Sequence, residues 1–176
     1  GKAHDPQTSS ADHGSVWKYF NSHQTLAMKV VIALGANLGN PRVQINTAIE
    51  ALREYIQISA ISTFIETTPF DVPDVQPNYL NAVLIGTTEV PALTVMRKLL
   101  EIEENLGRIR ISHNGARTID LDLIDYNGEI LENEELVLPH PRAHLRRFVL
   151  EPWLEIDRDA YLPGRGAVRE LLASLA

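Results

Sequence analysis

Arg117-Thr118-Ile119-Asp120-Leu121-Asp122-Leu123-Ile124 reads as an extended strand that runs on to Tyr126. Apolar and polar side chains alternate along it, the period of a strand with one face buried. Ile119, Leu121 and Leu123 face one way, toward a core, and Asp120 and Asp122 stand side by side on the other face. Asn127-Gly128 follows as a hairpin turn, and Glu129–Leu131 and Leu136–Leu138 read as short strands beyond it.

The elements upstream decide what this strand belongs to. Lys29-Val30-Val31-Ile32-Ala33-Leu34-Gly35 is a nearly continuous apolar run, the signature of a central strand buried on both faces. Asn40 is a helix N-cap with Pro41 at the first helical position. Val43, Ile45, Ala48, Ile49 and Leu52 then recur at helical spacing, which predicts a helix to about Tyr55. Ile58–Thr67 is rich in β-branched residues and reads as one strand; residues 68–78 hold three prolines and read as a loop; Tyr79–Thr88 is a strand. Pro91 opens a second helix that ends near Leu106-Gly107, and a polar, basic loop spans Arg108–Gly115. Arg142–Glu151 and Ala167–Leu175 are further helices. Two β-α-β halves in succession predict an α+β, ferredoxin-like antiparallel sheet, a βαββαβ core with its helices on one face and a C-terminal hairpin and helix extension.

Residues 1–27 differ in composition from the rest, being polar and His-rich, and read as an N-terminal extension or linker; residues 28–176 read as a single domain. Met28, just before the first strand, could be a natural start, and Val16-Trp17-Lys18-Tyr19-Phe20 is a candidate docking segment within the extension. The 16 Lys and Arg against 23 Asp and Glu leave a net charge of −7, which argues against broad electrostatic binding to nucleic acid or an anionic membrane. A chain without cysteine has no disulfides, no thiolate metal site and no cysteine nucleophile. No apolar run approaches the roughly 18 residues of a membrane span, and the N-terminus carries no visible secretory signal, so a cytoplasmic location is expected. There is no Gly-x-x-x-x-Gly-Lys-Ser/Thr phosphate loop and no nucleophile elbow.

Two like charges about 7 Å apart on one strand repel unless a cation lies between them. Asp120 and Asp122 at that spacing suit Mg²⁺, which takes one or two carboxylates and fills its shell with water and phosphate oxygens. The alternative is a solvent-facing acidic strand. Arg108, Arg110 and Arg117 precede the pair, and His140, Arg142, Arg146 and Arg147 follow it. Gathered by the fold, they make a basic pocket suited to phosphate oxygens; otherwise they pair with surface acids. Tyr79 and Asn81 share a strand face, and an aromatic plate beside a carboxamide can hold a flat heterocycle, with Phe148 as a candidate opposing plate. A buried Tyr with a structural Asn has the same pattern.

The segment His113-Asn114-Gly115-Ala116-Arg117-Thr118-Ile119-Asp120-Leu121-Asp122-Leu123-Ile124 resembles the signature of the 6-hydroxymethyl-7,8-dihydropterin pyrophosphokinases, a family of folate biosynthesis. Ala33-Leu34-Gly35-Ala36-Asn37-Leu38-Gly39, Gln76-Pro77-Asn78-Tyr79-Leu80-Asn81 and Leu138-Pro139-His140-Pro141-Arg142 support the resemblance, which runs from about Val30 to Glu170. It implies transfer of the β,γ-pyrophosphate of ATP to the pterin hydroxymethyl oxygen, with release of AMP. Two Mg²⁺ ions would lie between Asp120 and Asp122. Arg108 and Arg117 would hold phosphates, with Arg110 and His140 also on the ATP side, Leu123 near the adenine and Glu103 an acid near the nucleotide. Tyr79 and Phe148 would sandwich the pterin, with Asn81 and the backbone around Thr68, Pro69 and Asp71 reading its edge and Arg146 on the pterin-proximal side. Asn114 and Ala116 stand where family members often carry Trp and Pro, and Thr68-Pro69-Phe70-Asp71-Val72 differs from the family's Thr-Pro-Pro-Leu-Gly pattern.

The resemblance implies small-molecule substrates, ATP and the hydroxymethyl dihydropterin, with neighbouring folate-pathway enzymes as candidate partners, because some organisms fuse these activities. No general base is evident, so metal coordination is expected to acidify the hydroxyl, with arginines neutralising charge as AMP departs. The competing readings are a non-catalytic ferredoxin-like ligand-binding regulatory module and an RNA-recognition sheet. The second stacks bases on two or three strand aromatics, whereas these strands offer one clear candidate, Tyr79.

Overall fold

The structure, a computed structural model, describes residues 26–68, 77–108 and 119–175. Strand β1 (Met28–Ala36) lies at its centre, and Val30, Val31 and Ile32 are fully buried. Antiparallel β4 (Tyr79–Thr88) flanks it on one side and antiparallel β5 (Asp120–Tyr126) on the other. That placement accounts for the unbroken apolar run in β1: a central strand covered on both faces has no face left for polar side chains. Strand β2 (Gln57–Ile61) completes the order β2-β4-β1-β5, and β3 (Ile65–Thr67) pairs with the other half of β4.

The single strand expected over Ile58–Thr67 is therefore two. Between them the ladder gives way to a side chain: Ser62 donates its N–H to the Val83 carbonyl at 2.9 Å, and the Ser62 hydroxyl accepts the Val83 N–H at 2.9 Å. β-Branched composition alone does not reveal this exchange, which requires a serine facing β4.

Helix α1 (Pro41–Leu52) starts as expected, with the Asn40 side chain accepting the Val43 N–H at 3.2 Å. It ends at Leu52 rather than near Tyr55, the chain closing in tighter turns. Helix α2 (Ala92–Arg108) crosses back along the same face of the sheet. Ile45, Ala48, Ile49 and Leu52 from α1 and Val95, Leu99 and Ile102 from α2 pack on Val30, Ile32, Leu34, Leu121 and Leu123. The ferredoxin-like α+β arrangement is present as expected.

The C-terminal extension covers part of the other face. Helix α3 (Arg147–Ile156) and helix α4 (Val168–Ser174) place Val149, Leu150, Trp153 and Val168 on Val31, Ala33, Val83 and Ile85. Three details depart from the expected pattern. The helix expected over Arg142–Glu151 is a 3-10 turn, Ala143–Leu145, separated from α3 by Arg146 in extended conformation (φ −110°, ψ 103°). Asn127 and Gly128 do turn the chain, both at positive φ, but β6 (Leu131–Glu132) pairs with β7 (Val137–Leu138) rather than with β5. A hairpin of β8 (Tyr161–Leu162) and β9 (Gly166–Ala167) precedes α4, in a stretch to which the sequence reading assigns no strand.

Candidate active site

The register of three neighbouring strands brings Tyr79, Asn81, Asp120 and Asp122 of the sequence-predicted residues to one place. Ala33 pairs with Asp122, and Gly35 pairs with both Asp120 and Asn81. Alternation then puts Asp120, Asp122, Gly35, Asn81 and Tyr79 on the face that α3 covers only in part. Phe148 and Arg147 in the first turn of α3, with Arg146 just before it, form the opposite wall. Between the walls lies a cleft of about 860 Å³, lined also by Thr67 and Thr68 at the end of β3 and by Glu151.

Asn81 is 5 % exposed, and its amide donates to the Thr67 hydroxyl at 2.7 Å. The contact fixes which end of the carboxamide faces Thr67. Gly35 leaves room for it: a Cβ at that position would stand 3.0 Å from Asn81 Oδ1. Thr67 is a site residue that the sequence reading passed over. The available signal was parity, since Thr67 faces Tyr79 across the β3–β4 ladder.

Asp122 faces one arginine and one imidazole. The Arg146 guanidinium approaches its Oδ2 at 3.4 Å, and His140 Nε2 lies 3.9 Å from its Oδ1. Its side chain is 37 % exposed, open enough to receive a ligand from the cleft. The Arg146 guanidinium also stands 5.6 Å above the Phe148 ring, so one arginine links the acidic strand to the aromatic wall. His140 Nδ1 accepts the Arg142 N–H at 3.1 Å, which leaves Nε2 facing Asp122. Burial holds the His140 pKa below its usual value; Asp122 opposes this, and Arg146 and Arg142 add to it.

Glu103, on α2, accepts the Leu121 backbone N–H at 2.7 Å. It therefore holds the strand at the residue between the two aspartates. The Leu123 side chain lies on the opposite face from Asp122, buried in the core under α1 and α2. Thr68 is exposed at the mouth of the cleft. Arg108 is the last residue of α2, and its side chain falls outside what is described. Pro69, Asp71, Arg110 and Arg117 lie outside the described residues.

The donor set fits Mg²⁺. Asp120 and Asp122 are hard oxygen donors lining one cleft, on the same strand two residues apart. Among the described residues no cluster of three or more His, Asp or Glu forms an all-protein metal cage. Two carboxylates with room for water and phosphate oxygens are what this ion takes. No helix among the described residues is long and apolar enough to cross a membrane.

Residues 31–158 match the family model described as 7,8-dihydro-6-hydroxymethylpterin-pyrophosphokinase (HPPK). The chain is 38% identical over 147 residues to the 2-amino-4-hydroxy-6-hydroxymethyldihydropteridine pyrophosphokinase of Haemophilus influenzae, covering 82% of this chain and 91% of the relative. The Mycobacterium leprae protein of the same name is 38% identical over 159 residues, covering 84% of this chain and 82% of the relative. Among solved structures, a Plasmodium falciparum HPPK-DHPS superimposes with a TM-score of 0.66 at 14% identity. That match covers 87% of this chain and 46% of the other, so the chain spans about half of that longer protein.

Proposed function

Because the chain belongs to the 7,8-dihydro-6-hydroxymethylpterin-pyrophosphokinase family, we propose that its cleft binds the pterin between Tyr79 and Phe148 and the ATP triphosphate over Asp120 and Asp122. The chain is a pyrophosphokinase of folate biosynthesis. In its reaction the pterin hydroxymethyl oxygen attacks the β-phosphorus of ATP. The new O–P bond forms as the bond from the β-phosphorus to its bridge oxygen with the α-phosphate breaks, and AMP leaves with that oxygen.

The single observation that carries the site assignment is the strand register that sets Asp122 and Asp120 beside Gly35 and Asn81 on one cleft face, opposite Phe148. An anionic wall and an aromatic wall then meet where a phosphate and a flat heterocycle would be joined. Tyr79 and Phe148 supply the π faces, and the Asn81 carboxamide, held by Thr67, reads a polar edge of the ring. By the family resemblance the main chain around Thr68, Pro69 and Asp71 would complete that edge. Arg146 lies at the junction of the two walls, within reach of both Asp122 and Phe148.

Asp120 and Asp122 would hold Mg²⁺, two ions being the number that the family resemblance implies. When bound, Mg²⁺ neutralises phosphate charge and acidifies the attacking hydroxyl. By the family resemblance Arg108, Arg117 and Arg110 would meet the phosphates, for which guanidinium forks are suited. His140, kept neutral by burial, donates from Nε2 on the ATP side of Asp122. Glu103 steadies the strand beside the nucleotide. Leu123 borders the adenine through its main chain, because its side chain is in the core. With no evident general base, the hydroxyl proton passes to water or to Asp122, and catalysis rests on positioning and charge stabilisation.

We also take residues 28–176 as the catalytic domain and residues 1–27 as an extension, working in the cytoplasm beside other folate-pathway enzymes. An assay of AMP release from ATP, Mg²⁺ and the hydroxymethyl dihydropterin tests the assignment. Turnover must need all three components and persist in a chain starting at Met28. AMP release independent of the pterin counts against it.

A further inference from the structure

We propose that Glu155 is a positioning residue for the pterin subsite: by tying α3 to the connection between β2 and β3, it holds the gap between the Phe148 and Tyr79 rings. The inference deepens the proposed pterin site and rests on it.

One carboxylate takes both donors of a single residue. Glu155 accepts the Thr63 backbone N–H at 3.0 Å and the Thr63 hydroxyl at 2.8 Å, across 92 residues of sequence. Thr63 stands where the ladder lapses between β2 and β3. Its other flank is held by buried Ser62, which exchanges two bonds with Val83 and donates its hydroxyl to the Thr63 carbonyl at 2.9 Å. The connection is thus fixed to β4 on one side and to α3 on the other.

Each end of the tie leads along a regular element to one wall of the cleft. From Thr63 the chain enters β3, which pairs residue for residue with Tyr79, Leu80 and Asn81. From Glu155, α3 runs back through Pro152 to Phe148, seven residues away. Seven residues are two helical turns, so both side chains share a helix face, about 10 Å apart along the axis. The hydrophobic attraction that seats α3 on the sheet is non-directional. The two charge-assisted bonds are directional and fix the register of α3 against β3.

Glu155 and Thr63 are both exposed. Removing the carboxylate therefore leaves no buried polar group without a partner, and folding should survive the change. The effect expected is on geometry at the far end of the tie.

The test measures KM and kcat for both substrates, pterin binding in the presence of a non-hydrolysable ATP analogue, and thermal unfolding, in the full chain. Glu155→Ala should weaken binding of 6-hydroxymethyl-7,8-dihydropterin about tenfold, the worth of one to two modest hydrogen bonds. ATP affinity, kcat at saturating pterin and Tm should stay near those of the parent. Thr63→Val, which loses the hydroxyl and keeps the N–H, should fall between. Glu155→Ala with Thr63→Val should be no worse than Glu155→Ala alone. Unchanged pterin affinity in Glu155→Ala, or equal losses for pterin and ATP, overturns the proposal. Tyr79→Ala and Phe148→Ala run alongside as controls. If they weaken pterin binding and Glu155→Ala does not, the tie alone is wrong; if none of the three does, the pterin subsite falls with it.

Discussion

The Leu121 backbone N–H donates to the Glu103 carboxylate at 2.7 Å. Leu121 separates Asp120 from Asp122 on β5, whose strand partner among the described residues is β1. A helix side chain thus grips the edge strand of the sheet at the residue between the two candidate metal ligands, and the spacing of those carboxylates depends on α2 as well as on the ladder. We predict that Glu103→Ala lowers unfolding free energy by about 1–3 kcal/mol, the cost of a lost hydrogen bond to a charged group. Glu103→Gln, which keeps an acceptor, should recover most of it. Denaturant melts of the three proteins check this, and equal stability of all three would refute the clamp.

Asp122 lies 3.4 Å from the Arg146 guanidinium and 3.9 Å from His140 Nε2 at the open face of the cleft. Asp122→Asn should reduce turnover by at least about a thousandfold, as expected when a metal ligand and its charge are lost together. The fold should persist, because the side chain lies at an open cleft. Mg²⁺ titration of activity checks the assignment: a variant that retains the parent's Mg²⁺ dependence and rate removes Asp122 from the metal site.

The two aromatic rings predict a separable effect on the substrates. Tyr79→Ala should weaken pterin binding by about tenfold or more through lost stacking and apolar contact. ATP binding should change much less. Calorimetry with each ligand decides it; equal losses for both ligands count against the sandwich.

Asp125 gives a pH-dependent expectation. It lies three residues beyond Asp122, and a bulge after Leu123 turns it to the α3 side of the sheet, paired with Val31. Burial raises its carboxyl pKa above the ordinary 3.8; the Gly128 N–H and Lys29 pull the other way, and Glu129 adds to the rise. The folded protein therefore binds this proton more tightly than the unfolded chain does. The resulting stabilisation is complete below pH 3.8 and is lost as pH rises through the folded-state value. Asp125→Asn keeps an acceptor for the Gly128 N–H and removes the titration. Its stability relative to the parent should improve steadily from acid toward neutral pH. A difference that stays flat over that range would falsify the assignment.

Parts of this site were readable before any coordinates. The alternation through Asp120 and Asp122 set both carboxylates on one face, and the structure keeps them there with Leu121 and Leu123 beneath. Tyr79 and Asn81 were paired by the same two-residue period. Thr67 was passed over because its role depends on which strand β3 joins. The break at Ser62–Phe64 was invisible because it depends on a serine replacing a ladder bond to β4.

The amino-acid sequence by itself determined what repeats at short range: the buried run of β1, the Asn40–Pro41 helix start, the turn at Asn127-Gly128 and the common face of the two aspartates. Each follows from the period of a strand or helix, or from one residue's backbone preference, over a few neighbours. Tertiary structure alone decided the joins between distant segments: Thr67 with Asn81, Glu103 with Leu121, Glu155 with Thr63, Arg146 with Asp122. These bonds link side chains to groups 14 to 92 residues away. Such contacts leave no period along the chain, since they exist only once the sheet has chosen its order and register.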